Sequence, residues 1–490
     1  MPTQSTQSDI DILKIARLSR RRLVMGAMAT VGGMTRVSPA AETKGRIFVN
    51  DATRLNPVRV SRIATPKTTE DVQRLVKGWS GPVSIGGARY SMGGQIAAED
   101  SLHLDMRGLN QPIRLDAGRK VVRVQTGMRW RELQAVIDPH DLSVKIMQSF
   151  SNFTIGGALS VNAHGRDVGL GPLINSVHGI QLILPGGVVI EANRDQNPEL
   201  FFGAIGGYGG LGVITEVELD LVPNVRIERH ADYPPLARYP AFFRTQVAGN
   251  PDAVFHNANL EPPSLGQATC LTWYRTDKPV TVTQHLTPVG ASSAEAAAVW
   301  ALSEMPAAHF LRRVVIDPII YRARPVVWRN HEASLDVAAL GPIATGDSTY
   351  ALQEYFVPIA AFEEFAQLMS LILGANDVNA LNVSVRHTPA DPGSILAWAR
   401  EDVFSFVLYY KQHASVAAQD RVGNWTRQLV DAALSVGGTY YLPYQLHATP
   451  AQFERAYPGA ARFFALKAKA DPRNQFRNKL WDKYYRTAVL

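Results

Sequence analysis

The chain has one cysteine, Cys270, in 490 residues. A single thiol excludes an internal disulfide framework and any multi-cysteine zinc or iron–sulfur site, so a buried, inert side chain is expected at that position. The twelve histidines form no His-x-x-x-His motif and no carboxylates cluster around them, so no metal site is expected. No Gly-x-Ser-x-Gly elbow is present to support hydrolase chemistry. Internal repeats and low-complexity tracts are lacking as well. Charged residues make up only 19% against 46% hydrophobic ones, the balance of a globular chain rather than a disordered one. The formal charge of +7 is concentrated at one end. Lys14, Arg17, Arg20, Arg21, Arg22 and Arg36 against Asp9 and Asp11 give residues 1–41 a charge of +4. The remainder is too weakly basic to point to a nucleic-acid partner.

What is present begins with that amino-terminal segment. Ser19-Arg20-Arg21-Arg22 precedes a weakly apolar run from Leu23 to Thr35, and Ser38-Pro39-Ala40-Ala41 follows with small residues suited to cleavage. Residues 1–41 resemble a twin-arginine export signal, which implies a periplasmic or secreted protein. The apolar run is well short of the ~20 residues of a membrane span, so no integral span is expected. At this length two or three domains are expected in the rest of the chain.

From about residue 56 an α/β pattern starts. Thr68-Thr69-Glu70-Asp71 caps a helix with apolar positions Val72, Leu75 and Val76. Pro82 to Ile85 reads as a short buried strand that runs into Gly86-Gly87-Ala88-Arg89-Tyr90-Ser91-Met92-Gly93-Gly94. Glycines directly after a strand make a nest of backbone N–H donors for phosphate oxygens. This loop is neither a Walker loop nor a GxGxxG fingerprint. A strand over Val121–Val124 and a helix through Trp130, Leu133 and Val136 follow. A second small-residue stretch then runs from Phe153 to Asp167, with Gly156 and Gly157 at one end and His164, Gly165, Arg166 and Asp167 at the other. Read alone, this is a glycine turn beside a buried histidine. A hairpin is expected around Pro185-Gly186-Gly187, and a helix capped by Asn197 with Pro198 in its first turn. A third glycine loop spans Gly206 to Gly212, and an alternating strand runs from Val213 to Leu219.

After Pro223 glycine clusters thin out. Strands are expected over Tyr350–Val357, Leu381–Arg386 and Phe404–Tyr410, with helices over Ala294–Ser303 and Ala360–Leu373. Tyr440 to Tyr444 reads as an aromatic strand, and a helix through Ala461, Phe464 and Ala468 ends at Asp471-Pro472.

Three glycine loops in one α/β region followed by a separate α+β domain resemble the FAD-dependent oxidoreductases of the vanillyl-alcohol oxidase type, the PCMH-type flavoproteins. The resemblance is strongest over residues 56–223. Gly437-Gly438 through Tyr444 and Asp471-Pro472 look most like sugar-lactone and polyol oxidases and decaprenylphosphoryl-ribose oxidase. It implies an α+β fold: an FAD-binding domain of two α/β subdomains over 42–225, a cap domain over 226–430, and a segment, 431–490, that returns to the FAD domain. It implies that Gly86, Gly87, Ala88, Arg89, Tyr90, Ser91 and Met92 wrap the FAD pyrophosphate. Ile155, Gly156, Gly157, Ser160, His164 and Gly165 would line the flavin, and Gly209, Gly212, Val213 and Ile214 the adenine end. Asn478 would belong to the returning segment. Many relatives carry a flavin-linking histidine where Tyr90 stands, so non-covalent FAD is expected.

Oxidation of an alcohol by a flavin needs a hydride acceptor, a base for the hydroxyl proton and a cation for the developing negative charge. The candidates are Glu354, Arg386, His387, Lys411, Tyr441 and Tyr444. Arg386 and His387 adjoin on one strand and should face opposite ways, with Arg386 inward. Tyr441 and Tyr444 would fall on opposite faces of a straight strand, with Tyr441 preferred. The relatives' Glu-x-Arg pair has Ser384-Val385-Arg386 as its counterpart here, so its carboxylate is missing. The expected function is oxidation of a C–OH group of a carbohydrate-like or other alcohol, with electrons passed to oxygen or a carrier. A same-fold enzyme acting on a lipid-linked sugar and a non-catalytic periplasmic flavin- or ligand-binding protein remain alternatives.

Overall fold

A computed structural model describes residues 46–290, 321–340 and 344–485. The export-signal segment 1–41 and the expected helix over 294–303 lie outside the described residues. The architecture is α+β, built on two large antiparallel sheets and two small ones. Among the described residues no helix is long and apolar enough to cross a membrane.

The first glycine loop is launched from a three-stranded parallel sheet, in which Leu102–Asp105 lies between Arg62–Ala64 and Val83–Gly86. The helix Thr69–Lys77 covers it with Val72 and Val76, and Thr68 closes a capping box with Asp71. A six-stranded antiparallel sheet carries the hairpin Val177–Ile183 and Val189–Asn193, then Val213–Pro223, Val121–Gln125 and Pro112–Asp116. Gly186 and Gly187 adopt positive φ in the hairpin connection, which the expected turn requires. Asn197 precedes the helix Pro198–Ala204 but does not cap it: it is left-handed, and its side-chain amide donates to the Glu191 carbonyl.

A nine-stranded antiparallel sheet forms the other large layer. Its middle is Ala253–Leu260, Ala380–Thr388, Val403–His413 and Ser348–Pro358. Helices Phe362–Ala375 and Val416–Ser435 bury one face, against Phe404, Phe406, Tyr355 and Val385 among others. Cys270 is fully buried on this sheet, and burial pushes its thiol well above its ordinary range. The helix Val416–Ser435 runs straight through position 430, and Thr439–Tyr440 pairs with Ser348–Pro358, so the chain has no break between 430 and 431. The aromatic stretch 440–444 is not one strand. It leaves the sheet after Tyr440, because Pro443 cannot donate to a ladder.

The tail then returns. Phe476 bridges Val83 in parallel, and the amides of Arg477 and Lys479 donate to the carbonyls of Val83 and Ala97. Lys467, wholly buried, fastens it: its Nζ donates to Asp471 Oδ2 at 3.0 Å and to the carbonyls of Gly210 and Phe476 at 2.8 and 2.9 Å.

Candidate active site

The two large layers face each other across a cleft. One wall is made from the glycine loops. Gly87, Ala88, Arg89, Tyr90, Ser91 and Met92 line it, with Gly156, Gly157, Ser160, Gly209, Gly212 and Ile214. The amides of Ala88, Arg89, Tyr90 and Ser91 donate to no acceptor among the described residues. Arg89 holds the left-handed conformation, reaches Asp105 at 3.2 Å, and leaves its Nε buried without a partner. Beneath the loop His103 accepts or donates to Ser84 Oγ at 3.1 Å, and burial pushes the imidazole down to about 4, which keeps it neutral.

The second loop is not a turn. Ile155–Ser160 is a short helix whose N-cap, Thr154, accepts from the Gly157 amide. Its glycines serve packing as well as access. A Cβ on Gly87 would lie 2.1 Å from Thr154 Oγ1, and one on Gly156 would lie 2.9 Å from Thr126 Cβ, so first loop, second loop and neighbouring strand are pressed together. Several expected members fall outside the cleft. Gly86 sits on the His103 ring, and Gly165 packs against the Met147 carbonyl, 2.0 Å from where a Cβ would be. Ile155 and Val213 are wholly buried in the cores behind the wall, since alternation turns Val213 inward and Ile214 outward. Asn478 caps the helix Lys479–Tyr484 and donates to the Tyr208 carbonyl.

The opposite wall is the uncovered face of the nine-stranded sheet. Tyr350, Leu352 and Glu354 alternate along Ser348–Pro358 and line the cleft with Tyr409 and Arg386. Alternation places His387 on the helix-covered face, where its ring lies 4.7 Å from Phe243 and 5.7 Å from Phe404. Lys411 pairs with Tyr350 across the strands and stands 5.9 Å from that ring, past the end of the lining. Tyr441 and Tyr444 both line the cleft, because the stretch that carries them is no longer a strand. The 442–444 segment is clamped to the first loop: Gln95 Nε2 donates to the carbonyls of Leu442 and Tyr444, and Met92 N donates to that of Pro443.

Where the walls meet, His164 Nε2 lies 2.6 Å from Glu354 Oε1, with both side chains almost wholly buried. Tyr444 donates to Glu354 Oε2 at 3.0 Å, and Tyr441 donates to the Val161 carbonyl at 2.9 Å. Burial pushes the Glu354 carboxyl up, but His164, Arg386 and Tyr444 together outweigh it and hold it below its ordinary value. Burial lowers the Arg386 guanidinium and Glu354 opposes that; burial, reinforced by Glu354, raises the Tyr444 phenol. Glu354 stands two strands away from Ser384, across Val407. His164 Nδ1 and Arg386 Nε are buried without a protein partner. Trp398 and Phe356 pack on the His164 ring at 5.0 and 5.5 Å, contacts between distant segments that no local pattern announces. Arg166 stands apart from the cleft, bound to Glu332 at 2.5 Å and lying over Phe255. Among the described residues no group of side chains could hold a metal ion.

Residues 60–193 match the model of an FAD binding domain. The chain is 32% identical over 176 residues to a mitochondrial L-galactono-1,4-lactone dehydrogenase of Brassica oleracea, a match covering 35% of this chain and 29% of the plant protein. It is 29% identical over 167 residues to an alditol oxidase of a Streptomyces species, covering 34% and 40%. To the L-gulonolactone oxidase of Bos taurus it is 23% identical over 433 residues, covering 86% of this chain and 94% of that protein. The chain thus spans less than a third of the plant relative's length. The cleft fits the cofactor these matches imply, with unspent loop amides, walls on which a Cβ would collide, and an unpartnered arginine Nε. The chain thus carries an FAD binding domain over residues 60–193 and is similar to lactone and polyol oxidoreductases of the PCMH flavoprotein type.

Proposed function

We propose that the protein is an FAD-dependent oxidoreductase that converts a C–OH group of a small molecule to a carbonyl. The observation that carries this reading is the buried His164–Glu354 pair, with Tyr444 and Arg386, facing the glycine-loop wall. Residues 42–225 would form the FAD domain as two subdomains and the nine-stranded sheet with its helices the cap, with the tail after Tyr440 returning to the first. The first loop's amides would hold the pyrophosphate, with Arg89 beside them, and Gly156, Gly157 and Ser160 would border the ring system.

Bound FAD supplies the acceptor for the hydride that leaves the carbinol carbon. The chain's own groups handle the proton and the charge. Glu354, held ionised, fixes His164 with Nε2–H toward itself, which leaves Nδ1 as the acceptor for the hydroxyl proton. The imidazolium so formed is balanced by the same carboxylate, the logic by which a buried acid orients and steadies a catalytic histidine. Tyr444 holds the second carboxylate oxygen, and Arg386 offers positive charge where negative charge develops. Trp398, Phe356 and Tyr441 shut water out around the pair.

The test is anaerobic. Purified holoprotein should show an oxidised-flavin spectrum that an alcohol bleaches, with one carbonyl formed per flavin; a protein that FAD cannot reconstitute overturns the reading. Tyr90, whose ring rests 4.5 Å from Phe153, supports non-covalent attachment. Acid precipitation should release all flavin to the supernatant, and a yellow pellet would refute this. Export to the periplasm or beyond is supported by the arginine pair before the weakly apolar run at 23–35. A fusion of residues 1–41 to a reporter that moves only when folded should be exported, and should stay inside with Arg20 and Arg21 replaced by Lys.

A further inference from the structure

The sheet wall of the cleft is divided. At one end stand Glu354, Arg386, Tyr441 and Tyr444; beyond them along the strands lie Leu352, Tyr350 and Tyr409. Tyr350 and Tyr409 have ring centroids 5.7 Å apart at 31°, forming one aromatic surface. From Glu354 to Tyr350 is four residues of extended chain, roughly 13 Å at strand spacing. The polar side chains of the same sheet face stay out of the lining: Asn382 donates to Asn259 at 3.0 Å, and Ser384 does not border the cleft. The two glutamines that do border it are engaged, Gln95 with the Leu442 and Tyr444 carbonyls and Gln148 with the Trp130 indole. Within the polar end both Glu354 oxygens and the Tyr441 hydroxyl already have partners.

We propose that the substrate is an alcohol presenting one carbinol group to His164 and Arg386 while an apolar ring or chain lies along Leu352, Tyr350 and Tyr409. This rests on the alcohol-oxidation reading above and narrows it. A free polyol would lose water from every hydroxyl on entering, and the sheet wall beyond Glu354 offers only the phenol hydroxyls of Tyr350 and Tyr409 in return. Each hydroxyl buried without a partner weakens binding roughly tenfold, whereas an apolar body gains by leaving water. The class so defined differs from the sugar lactone and alditol named for the relatives, and the difference lies in the lining side chains.

Stopped-flow reduction of the holoprotein under nitrogen tests it. Benzyl alcohol, cyclohexanol and 1-hexanol are compared with xylitol, sorbitol and L-gulono-1,4-lactone. At least one of the first three should reduce the flavin with an apparent second-order rate constant tenfold or more above any of the second three. In Leu352→Asn that constant should fall at least tenfold, with the oxidised spectrum and reduction by dithionite unchanged. A polyol or lactone that matches or exceeds the apolar alcohols overturns the substrate class and leaves alcohol oxidation standing, as does an unaltered rate in Leu352→Asn. Failure of all six, with dithionite still effective, overturns both.

Discussion

On the glycine-loop wall the exposed groups are backbone amides, and side chains are kept away by packing; on the sheet wall the exposed groups are side chains spaced by strand alternation. The first wall is local. Gly87 to Met92 come from one stretch of chain, fixed by contacts that leave no room for a Cβ. The second is assembled from afar. His164 and Glu354 are 190 residues apart, and Tyr444 lies 90 beyond Glu354. A wall of amides suits a large anionic ligand shared by many chemistries, whereas a wall of side chains can be altered one residue at a time. Substitutions on the two walls should therefore fail differently, in retention of cofactor on one side and in rate on the other.

The largest effect should come from His164, which touches both walls. His164→Ala removes the proposed proton acceptor and leaves Glu354 buried without its partner. Flavin reduction by the best alcohol should slow by about 10²–10⁴-fold, the usual contribution of a general base. The flavin absorbance per protein should stay near the parent value; joint loss of colour and rate would erase the distinction between the walls. Lys467 tests the opposite side, since its Nζ fastens the tail to the Gly206–Gly212 loop. Lys467→Met strands a buried Asp471 carboxylate, and breaking such a pair costs about 3–5 kcal/mol. A lowered denaturant midpoint together with weakened FAD retention is the expected result, and unchanged stability would show the pair to be dispensable.

Gly87→Ala is a smaller change aimed at the loop wall alone. The added methyl meets Thr154 Oγ1 and must push the loop or the helix cap aside, an overpacking cost of about 1–3 kcal/mol. FAD dissociation, followed by flavin fluorescence, should quicken, while the reduction rate of enzyme that keeps its flavin should hold. The double variant Gly87→Ala with Thr154→Ser removes no contact at Oγ1 and should not rescue it; Thr154→Gly should in part.

How much of this could be read in advance follows the same division. The strand, capped helix and hairpin of the FAD domain were legible because their signals are contiguous: Thr68 with Asp71, and Gly186 and Gly187 between two apolar runs. The loops at 87–92 and 209–214 were legible as glycine clusters for the same reason. What glycine meets across space was not, so Gly86 and Gly165 looked like cofactor contacts although one serves His103 and the other the Met147 carbonyl. On the sheet wall alternation correctly separates Arg386 from His387. It fails for Tyr441 and Tyr444, since alternation holds only while the strand lasts and the ladder stops at Tyr440. The union of His164 with Glu354 is set by how the layers dock, and no spacing along the chain encodes it.

The seam between the walls carries the last prediction. Asp167 and Arg329 form a buried pair at 2.7 Å, with the Arg329 guanidinium over the Phe255 ring. Burial raises Asp167 to about 6 despite Arg329 and Arg166, and its Oδ2 has no partner. The folded protein therefore holds a proton here that the unfolded chain has released once the pH passes the ordinary value of 3.8. Stability from this group is greatest below that value and falls as pH rises toward 6, by about 3 kcal/mol at most at 1.36 kcal/mol per unit. Glu354 acts in the opposite sense. Its depressed carboxyl adds stability that is complete above its ordinary 4.5 and lost as pH falls through the folded value. Urea unfolding between pH 3 and 7, read as differences from the parent so that the common contribution of buried neutral histidines such as His103 cancels, separates the two. Relative to the parent, Asp167→Asn should gain stability as pH rises from 4 to 6, and Glu354→Gln should gain it as pH falls below 4.5. If the difference between Asp167→Asn and the parent does not change with pH, the seam is not a titrating one.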